Sequence, residues 1–348
     1  MNFIKKLISR RVLSVLDFGA QTVTVLCVEK RDDGSVRVLG GGEAPSRGVG
    51  PEGIVLLGDA VESVVDAVAK AQRSAGVRID TLYFNLEDIL LQGSASCGSA
   101  CLVGEGEINS RAVNEARQMA ERRVANFYER IVYAVDTGYL IDQKDPVENP
   151  VGVFGQQLDV SVYFLLARAE LCDAWKKIME RAGLAKSVPV VSAWSTAYGV
   201  LPKGDRRRRR VIVDFGDDLT TTLVFKNGGI QGLRIRATAA DRSEAGKNLA
   251  ADVKELMASP EATEQILVAG DRASDEEALK RIKENFSAPV FVAAAVGIPK
   301  FDQPRLASLV GLVGVAEELE KKAPLLRREK GLLGDVKEKA MEFVQEYF

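Results

Sequence analysis

The chain has no histidine in its 348 residues, so the side chain that most often serves as general base or metal ligand near neutral pH is missing. Cysteine is scarce too. Cys27, Cys97, Cys101 and Cys172 fit neither a disulfide framework nor a zinc ribbon, and Cys97 and Cys101 lack the second ligand pair that a metal site needs. No run of about 18 apolar residues is available to cross a bilayer. The apolar stretch of the opening MNFIKKLISRR is too short for a secretory signal, so the expected compartment is the cytoplasm. Nor does one sign of charge dominate: 47 basic against 49 acidic residues leave a formal net charge of -2, which supplies no basic field for nucleic acid. What is present, 46% hydrophobic and 28% charged residues, suffices for cores in two or three domains.

The most informative positive feature is an internal repeat. SVLDFGAQTVTVLCVEK with SVRVLGGGEA, and then VIVDFGDDLTTTLVF with NGG and IQGLRIRATAA, both read as three-stranded meanders of β-branched runs joined by Gly, Asn and Asp turns. The same order of elements follows each. In the first half a helix from Gly58 to Gly76, apolar at Val61, Val64, Val65, Val68 and Ala71, leads to the strand TLYFNLE; later come the helix LCDAWKKIMERAG, the strand VPVVSAW and a helix beginning at Ser195. In the second half GKNLAADVKELMA, QILVAGD, SDEEALKRIKENF, PVFVAAAV and RLASLVGLVGVAEEL read as helix, strand, helix, strand, helix. This resembles the ribonuclease-H-like unit of the actin superfamily, present in duplicate, and implies an α/β, actin-like fold.

In such a fold each meander aims a tight Asp-Gly turn at the cleft between the halves. Backbone N–H groups there can cradle phosphates, and a strand-end Asp can orient a hydrated Mg²⁺. Asp17 with Gly19, and Asp214 with Gly216, hold those positions. A single DFG turn more often simply ends a strand with no ligand. Two in matching positions speak for common ancestry and leave present activity open.

Between TLYFNLE and the helix at Leu171, ILLQGSASC, NSRAVNEARQMAERR, ERIVYAVDTGYLID and GQQLDVSVYFLLA read as strand, helix, strand, strand. This insertion, the stretch IVYAVDTGYLIDQKDPVENPVGVFGQQLDVSVYFLLA and the phrase GGGEAPSRGV resemble the bacterial division-protein family FtsA, whose strand-helix-strand-strand module (SHS2, or 1C) stands at this point. The resemblance runs from about Val12 to Leu319. It implies a basic leader over 1–11, subdomain 1A over 12–89 and 169–205, subdomain 1C over 90–168, subdomain 2A over 206–322, and a linker with an amphipathic C-terminal helix over 323–348. The family's phosphate loops read roughly DIGTSK and DIGGGTTD. Here they read DFGAQT and DFGDDLTT, with Asp217 and Asp218 in place of two glycines, and the glycine-rich adenosine loop becomes Val268-Ala269-Gly270-Asp271. A carboxylate about 4 Å from a phosphate repels it by about 1 kcal/mol in bulk water and by more in a drier cleft. The nucleotide site is therefore expected to be degenerate, to bind ATP and Mg²⁺ weakly if at all, and to hold no catalytic residue. RATAADRSEAGKNLAADVKEL also leaves no room for the family's subdomain 2B, which carries its FtsZ dock.

The final GLLGDVKEKAMEFVQEYF places Leu332, Leu333, Val336, Ala340, Phe343, Val344 and Tyr347 along one helical face, with Phe348 at its end. It is similar to the family's membrane-targeting helix; the alternative is a helix packed on its own core or in a partner's groove. The leader, apolar at Phe3, Ile4, Leu7 and Ile8 and basic at Lys5, Lys6, Arg10 and Arg11, is a second anchor or a solvated lead-in. The run Arg206 to Arg210 is a candidate contact for acidic lipid or a partner, against the commoner solvated face. The resemblance implies a scaffold of the cell-division machinery, peripheral on the inner face of the cell membrane, bound to division or other inner-membrane assembly proteins and to copies of itself, with no nucleic-acid partner. Two other readings stand beside it: a PilM-like platform of a type IV pilus or secretion system, and an active polymerising ATPase, which the altered glycine loops oppose.

Overall fold

In the computed structural model, which describes residues 11–31, 33–50, 53–256 and 263–329, the repeat becomes two five-stranded sheets of one topology. The first half begins with the antiparallel meander β1 (Arg11–Phe18), β2 (Thr22–Lys30) and β3 (Val36–Pro45). A short ladder of β4 (Val49–Gly50) and β5 (Gly53–Ile54) leads to α1 (Leu57–Ala75) and β6 (Leu82–Leu86). The inserted module follows as β7 (Gln92–Glu107), α2 (Ser110–Val124), β8 (Glu129–Ile141) and β9 (Phe154–Arg168), and the first half closes with α3 (Ala169–Arg181), β10 (Ser187–Val191) and α4 (Ser192–Val200). The second half runs β11 (Arg210–Phe215), β12 (Leu219–Lys226), β13 (Gly229–Ala237), α5 (Arg242–Leu256), β14 (Ile266–Ala269), α6 (Glu276–Asn285), β15 (Val290–Val292) and α7 (Ala307–Glu329). The sheets are ordered β10-β6-β1-β2-β3 and β13-β12-β11-β14-β15. In each, one later strand joins the first meander strand in parallel and the last strand pairs in parallel with that later strand in turn. This is the duplicated ribonuclease-H-like arrangement of an actin-like fold.

Period-two burial explains how the layers stack. Val211, Val213 and Phe215 face a core shared with Leu249, Val253 and Ile282 under α5 and α6. Ile212, on the opposite face of the same strand, joins the larger core that contains Ala197, Val310, Val313 and the first sheet. Helix α1 supplies Ala60, Val64, Ala67, Val68 and Ala71 at helical spacing to that first sheet. The two halves meet along α4 and α7, which cross at Gly199 and Gly311. A Cβ on Gly199 would fall on the Ala307 carbonyl, and one on Gly311 on the Ser195 carbonyl. Only glycine on both helices allows this approach.

The module forms its own three-stranded sheet, β7-β9-β8, with α2 over a core of Ile108, Ala116, Leu158, Val160, Val162 and Phe164. The Asn109 side chain caps α2 by accepting the Ala112 N–H at 3.1 Å. Arg168 ties the module's base to the buried Asp88 at 3.2 Å. Although it is inserted in the first half, the module also touches the second: the Ile230 N–H on β13 donates to the Tyr133 hydroxyl on β8 at 2.8 Å. Tyr133 packs edge-on to Trp194 of α4 with centroids 5.1 Å apart.

Several expectations need correction. Helix α4 begins at Ser192, not Ser195, because only Val188–Val191 of VPVVSAW pairs with β6 beyond Ser187. Strand β7 continues well past ILLQGSASC to Glu107, since β9 offers it a partner along that length. PVFVAAAV pairs only at Val290–Val292. Helix α7 continues through the expected linker at 323 to Glu329, and Arg11, assigned to the leader, opens β1. The arginine run is partly structural: Arg206 stacks on Tyr198 at 3.8 Å, while Arg209 and Arg210 are buried, Arg210 against Glu264 at 2.7 Å. Only Arg207 and Arg208 of the run are exposed. Residues 1–10 and 330–348, and with them Leu332, Leu333, Val336, Ala340, Phe343, Val344, Tyr347 and Phe348, lie outside the described residues. Among the described residues no helix is long and apolar enough to cross a membrane, and no cluster of potential ligands suited to a metal ion occurs.

Candidate nucleotide cleft

The two meander turns close in the same way. The Gly19 N–H donates to the Thr22 carbonyl at 3.0 Å, and the Gly216 N–H to the Leu219 carbonyl at 3.1 Å. The leading amide of each loop is therefore spent inside its own turn. Asp17 and Asp214, each one residue before the end of a first meander strand, point into the space between the sheets and meet the opposite half. Ser308 of α7 donates to Asp17 Oδ2 at 2.6 Å, and Thr196 of α4 donates to Asp214 Oδ2. The other Asp17 oxygen accepts the Asn85 amide at 3.0 Å, and Asn85 in turn accepts the Ser195 hydroxyl at 2.7 Å.

The third loop arrives at the same place. Gly270, at φ 96°, lies so close that a Cβ would be 2.6 Å from Asp214 Oδ1 and from the Phe215 carbonyl, and its N–H is taken by the Pro304 carbonyl at 3.1 Å. Asp271 follows, its carboxyl pushed up by burial and by the charges of Asp217 and Asp17, with Arg305 opposing. Asp217 is exposed and accepts the Gln21 amide across the cleft at 3.0 Å. Asp218 contributes through its backbone, its carbonyl accepting the Thr238 N–H at 2.7 Å. The Thr238 hydroxyl donates to the Gly216 carbonyl at 3.0 Å. Thr238–Asp241 is the whole connection between β13 and α5, so this short link is fastened over the second loop.

Of the sequence-read candidates, the structure brings together Asp17, Gly19, Asp214, Gly216, Asp217 and Gly270, and places Asp218 beside them. Sequence reasoning missed Glu87, Asn85, Thr196, Ser308 and Gln21. Glu87, just past the end of β6, is pushed up to about 8 by burial and then by Asp214 and Asp17, while the Thr221 hydroxyl at 3.4 Å and Ser192 favour its charge. Asp214 is raised to about 6, chiefly by burial. The cleft thus gathers carboxyl groups at close quarters and meets them with the protein's own hydroxyls and amides.

The description "SHS2 domain inserted in FTSA" matches residues 92–166, which is β7 to β9 with α2. Cell division protein FtsA of Pseudomonas aeruginosa is 25% identical over 234 residues, covering 67% of this chain and 56% of that protein. The chain is FtsA-like. The FtsA of Escherichia coli K12 is 24% identical over 230 residues, 66% of this chain and 54% of that one. The chain thus spans about half the length of the curated FtsA proteins it matches. Among solved structures, the PilM-PilN type IV pilus biogenesis complex has a TM-score of 0.57 at 14% identity, covering 87% of this chain and 98% of that one. MreB5 of Spiroplasma citri bound to ADP has a TM-score of 0.50 at 10% identity, covering 90% and 98%. Both likenesses concern the fold. For the FtsA-like chain the module is thus matched by its own family description, and about two thirds of the chain is matched in sequence.

Proposed function

We propose that this FtsA-like chain is a scaffold of the bacterial division machinery, held peripherally on the inner face of the cell membrane by its C-terminal segment, with a nucleotide cleft too altered to work as an ATPase. The observation that carries the reading is the inserted module, whose match to the FtsA description over residues 92–166 accompanies carboxylates where phosphate-binding glycines would stand. Its proposed partners are other division or inner-membrane assembly proteins and further copies of itself. The proposed subdivision is 1A over 12–89 and 169–205, 1C over 90–168 and 2A over 206–322.

A tagged full-length chain is expected to form a band at the division site. Replacing Phe343 and Tyr347 by Glu is expected to disperse the band and release the purified protein from liposomes. Each large side chain contributes roughly 1.5 to 3 kcal/mol when fully buried, so losing two weakens partitioning by about a hundredfold or more. The melting temperature should stay unchanged. A double variant that still floats with liposomes, or that unfolds, would rule out the segment as anchor. Fluorescence gathered in envelope complexes away from the septum would favour the PilM-like platform instead.

Calorimetric titration with ATP and Mg²⁺ is expected to give weak binding at most, because Asp217, Asp218 and Asp271 stand in the loops that should hold the nucleotide and a nearby carboxylate repels a polyphosphate. The double change Asp217→Gly with Asp218→Gly should strengthen binding. Low-micromolar affinity with turnover in the unaltered protein would restore the ATPase reading.

A further inference from the structure

We propose that the two halves are closed on each other by a clasp made only of protein: Thr196 of the first half holds Asp214 of the second, and Ser308 of the second half holds Asp17 of the first. Closure then needs no nucleotide. The contacts are reciprocal, each running from a helix of one half to the meander of the other. They also occupy matching positions in the duplicated unit. Thr196 stands three residues before Gly199 and Ser308 three residues before Gly311, the two points at which α4 and α7 cross. The spacing puts hydroxyl and glycine on one helical face, so the close crossing that glycine permits is what brings each hydroxyl within reach of the opposite carboxylate.

The surroundings fix both acceptors. Asp17 has one oxygen on Ser308 and the other on Asn85, itself held by the buried Ser195. Each of its oxygens thus already accepts one donor from the protein itself. Asp214 is hemmed in by Gly270. Two further contacts span the halves at the clasp's edges: Gln21 to Asp217 at 3.0 Å, and Lys30 on β2 to the buried Glu317 on α7 at 2.7 Å. Facing carboxylates on two bodies ordinarily push them apart unless something donates to both. Here the donors are built into the chain. The clasp deepens the reading of the cleft as degenerate, because a site closed by its own hydroxyls has no task left for a bridging phosphate.

Amide hydrogen exchange on the full chain, read at the turns 19–22 and 216–219 without nucleotide, tests this. The double change Thr196→Val with Ser308→Ala is expected to speed exchange in both turns by about tenfold or more, while Thr196→Ser, which keeps the hydroxyl, restores slow exchange. Adding ATP and Mg²⁺ to the unaltered protein should leave exchange unchanged. Exchange in the double variant as slow as in the parent overturns the clasp. So does protection that appears in the parent only when ATP and Mg²⁺ are added. Energy transfer between fluorophores on the two halves of the otherwise unaltered chain gives a measure independent of the variants' folding: the distance is expected not to change with ATP and Mg²⁺, and a shortening overturns the proposal. Tight ATP binding in calorimetry, with the turns already protected in its absence, would refute the weak-nucleotide reading and leave the clasp standing.

Discussion

Changing Gly311 to alanine is expected to destabilise the protein by about 3 kcal/mol or more and to lower its melting temperature by roughly 5 °C or more. The reason lies in which atoms the new methyl meets. At Gly311 the methyl would run into the Ser195 carbonyl and the Gly199 backbone nitrogen, groups that cannot move unless α4 and α7 separate. Separation would expose Val310, Val313 and Ala197, which belong to the core shared by the two halves. Gly314, one turn further along the same helix, is the internal control. A methyl there lies 3.4 Å from the Tyr198 ring and 3.8 Å from Arg206, ordinary contact distances. Gly314→Ala should be neutral or slightly stabilising, since alanine favours a helix over glycine by about 0.8 to 1 kcal/mol. Thermal and urea unfolding of the two variants side by side decide it. If Gly311→Ala melts like Gly314→Ala, the helices do not cross as closely as described.

How far the sequence reaches can be seen in these same residues. The meanders were legible because period-two runs such as SVLDF and VIVDF end in Asp-Gly turns that only a few backbone conformations satisfy. Their repetition supplied the topology of both sheets. The inserted module was legible for the same reason, as a strand, helix, strand and strand of clear periodicity. What local pattern could not supply was contact between distant elements. Nothing in SAWSTAYG or ASLVGLVG marks Thr196 or Ser308 as polar residues facing carboxylates, because a hydroxyl in an apolar helix reads equally well as core filler. Comparing the two helices with each other, as the meanders were compared, would have exposed the shared hydroxyl three residues before glycine. Glu87 was hidden differently: at the end of TLYFNLE it looks like a solvated strand terminus, and only the closing of the second half over it makes it part of the cleft. The arginine run misled in the opposite sense. Five consecutive charges suggest a surface, yet β11 carries Arg210 into the fold, where Glu264 meets it. The module's reach to β13 through Tyr133 likewise follows from tertiary packing that no single segment encodes.

Glu87→Gln is expected to raise stability above about pH 8 and to flatten its pH dependence between about pH 4.5 and 8. In the folded protein the Glu87 carboxyl is pushed up to about 8, first by burial and then by Asp214 and Asp17, and Asp214 is raised to about 6. In the unfolded chain both titrate near their ordinary values of about 4. A raised acid binds its proton more tightly when folded, so its contribution is complete below about pH 4 and is lost as pH climbs through 6 towards 8. Each pH unit over which one group differs is worth about 1.4 kcal/mol, and water reaching the partly exposed Glu87 limits the total to a few kcal/mol. The groups facing Glu87 from the surrounding elements are Asp17 of β1, Asp214 of β11 and the hydroxyls of Thr221 and Ser192; Asp271 and Asp217 lie further along the loops, with Arg305 beside Asp271. All the carboxylates act in the same direction, so ionising Glu87 adds one more negative charge to a space already short of cations. Glutamine keeps the shape and an acceptor for Thr221 but never ionises. Melting curves of the parent and Glu87→Gln should therefore lie closest near pH 4 and separate progressively towards pH 8, with the variant the more stable at pH 8.5. A variant less stable than the parent at pH 8.5 would mean that the folded cleft stabilises the ionised Glu87, so that a cation rather than a proton is what it holds.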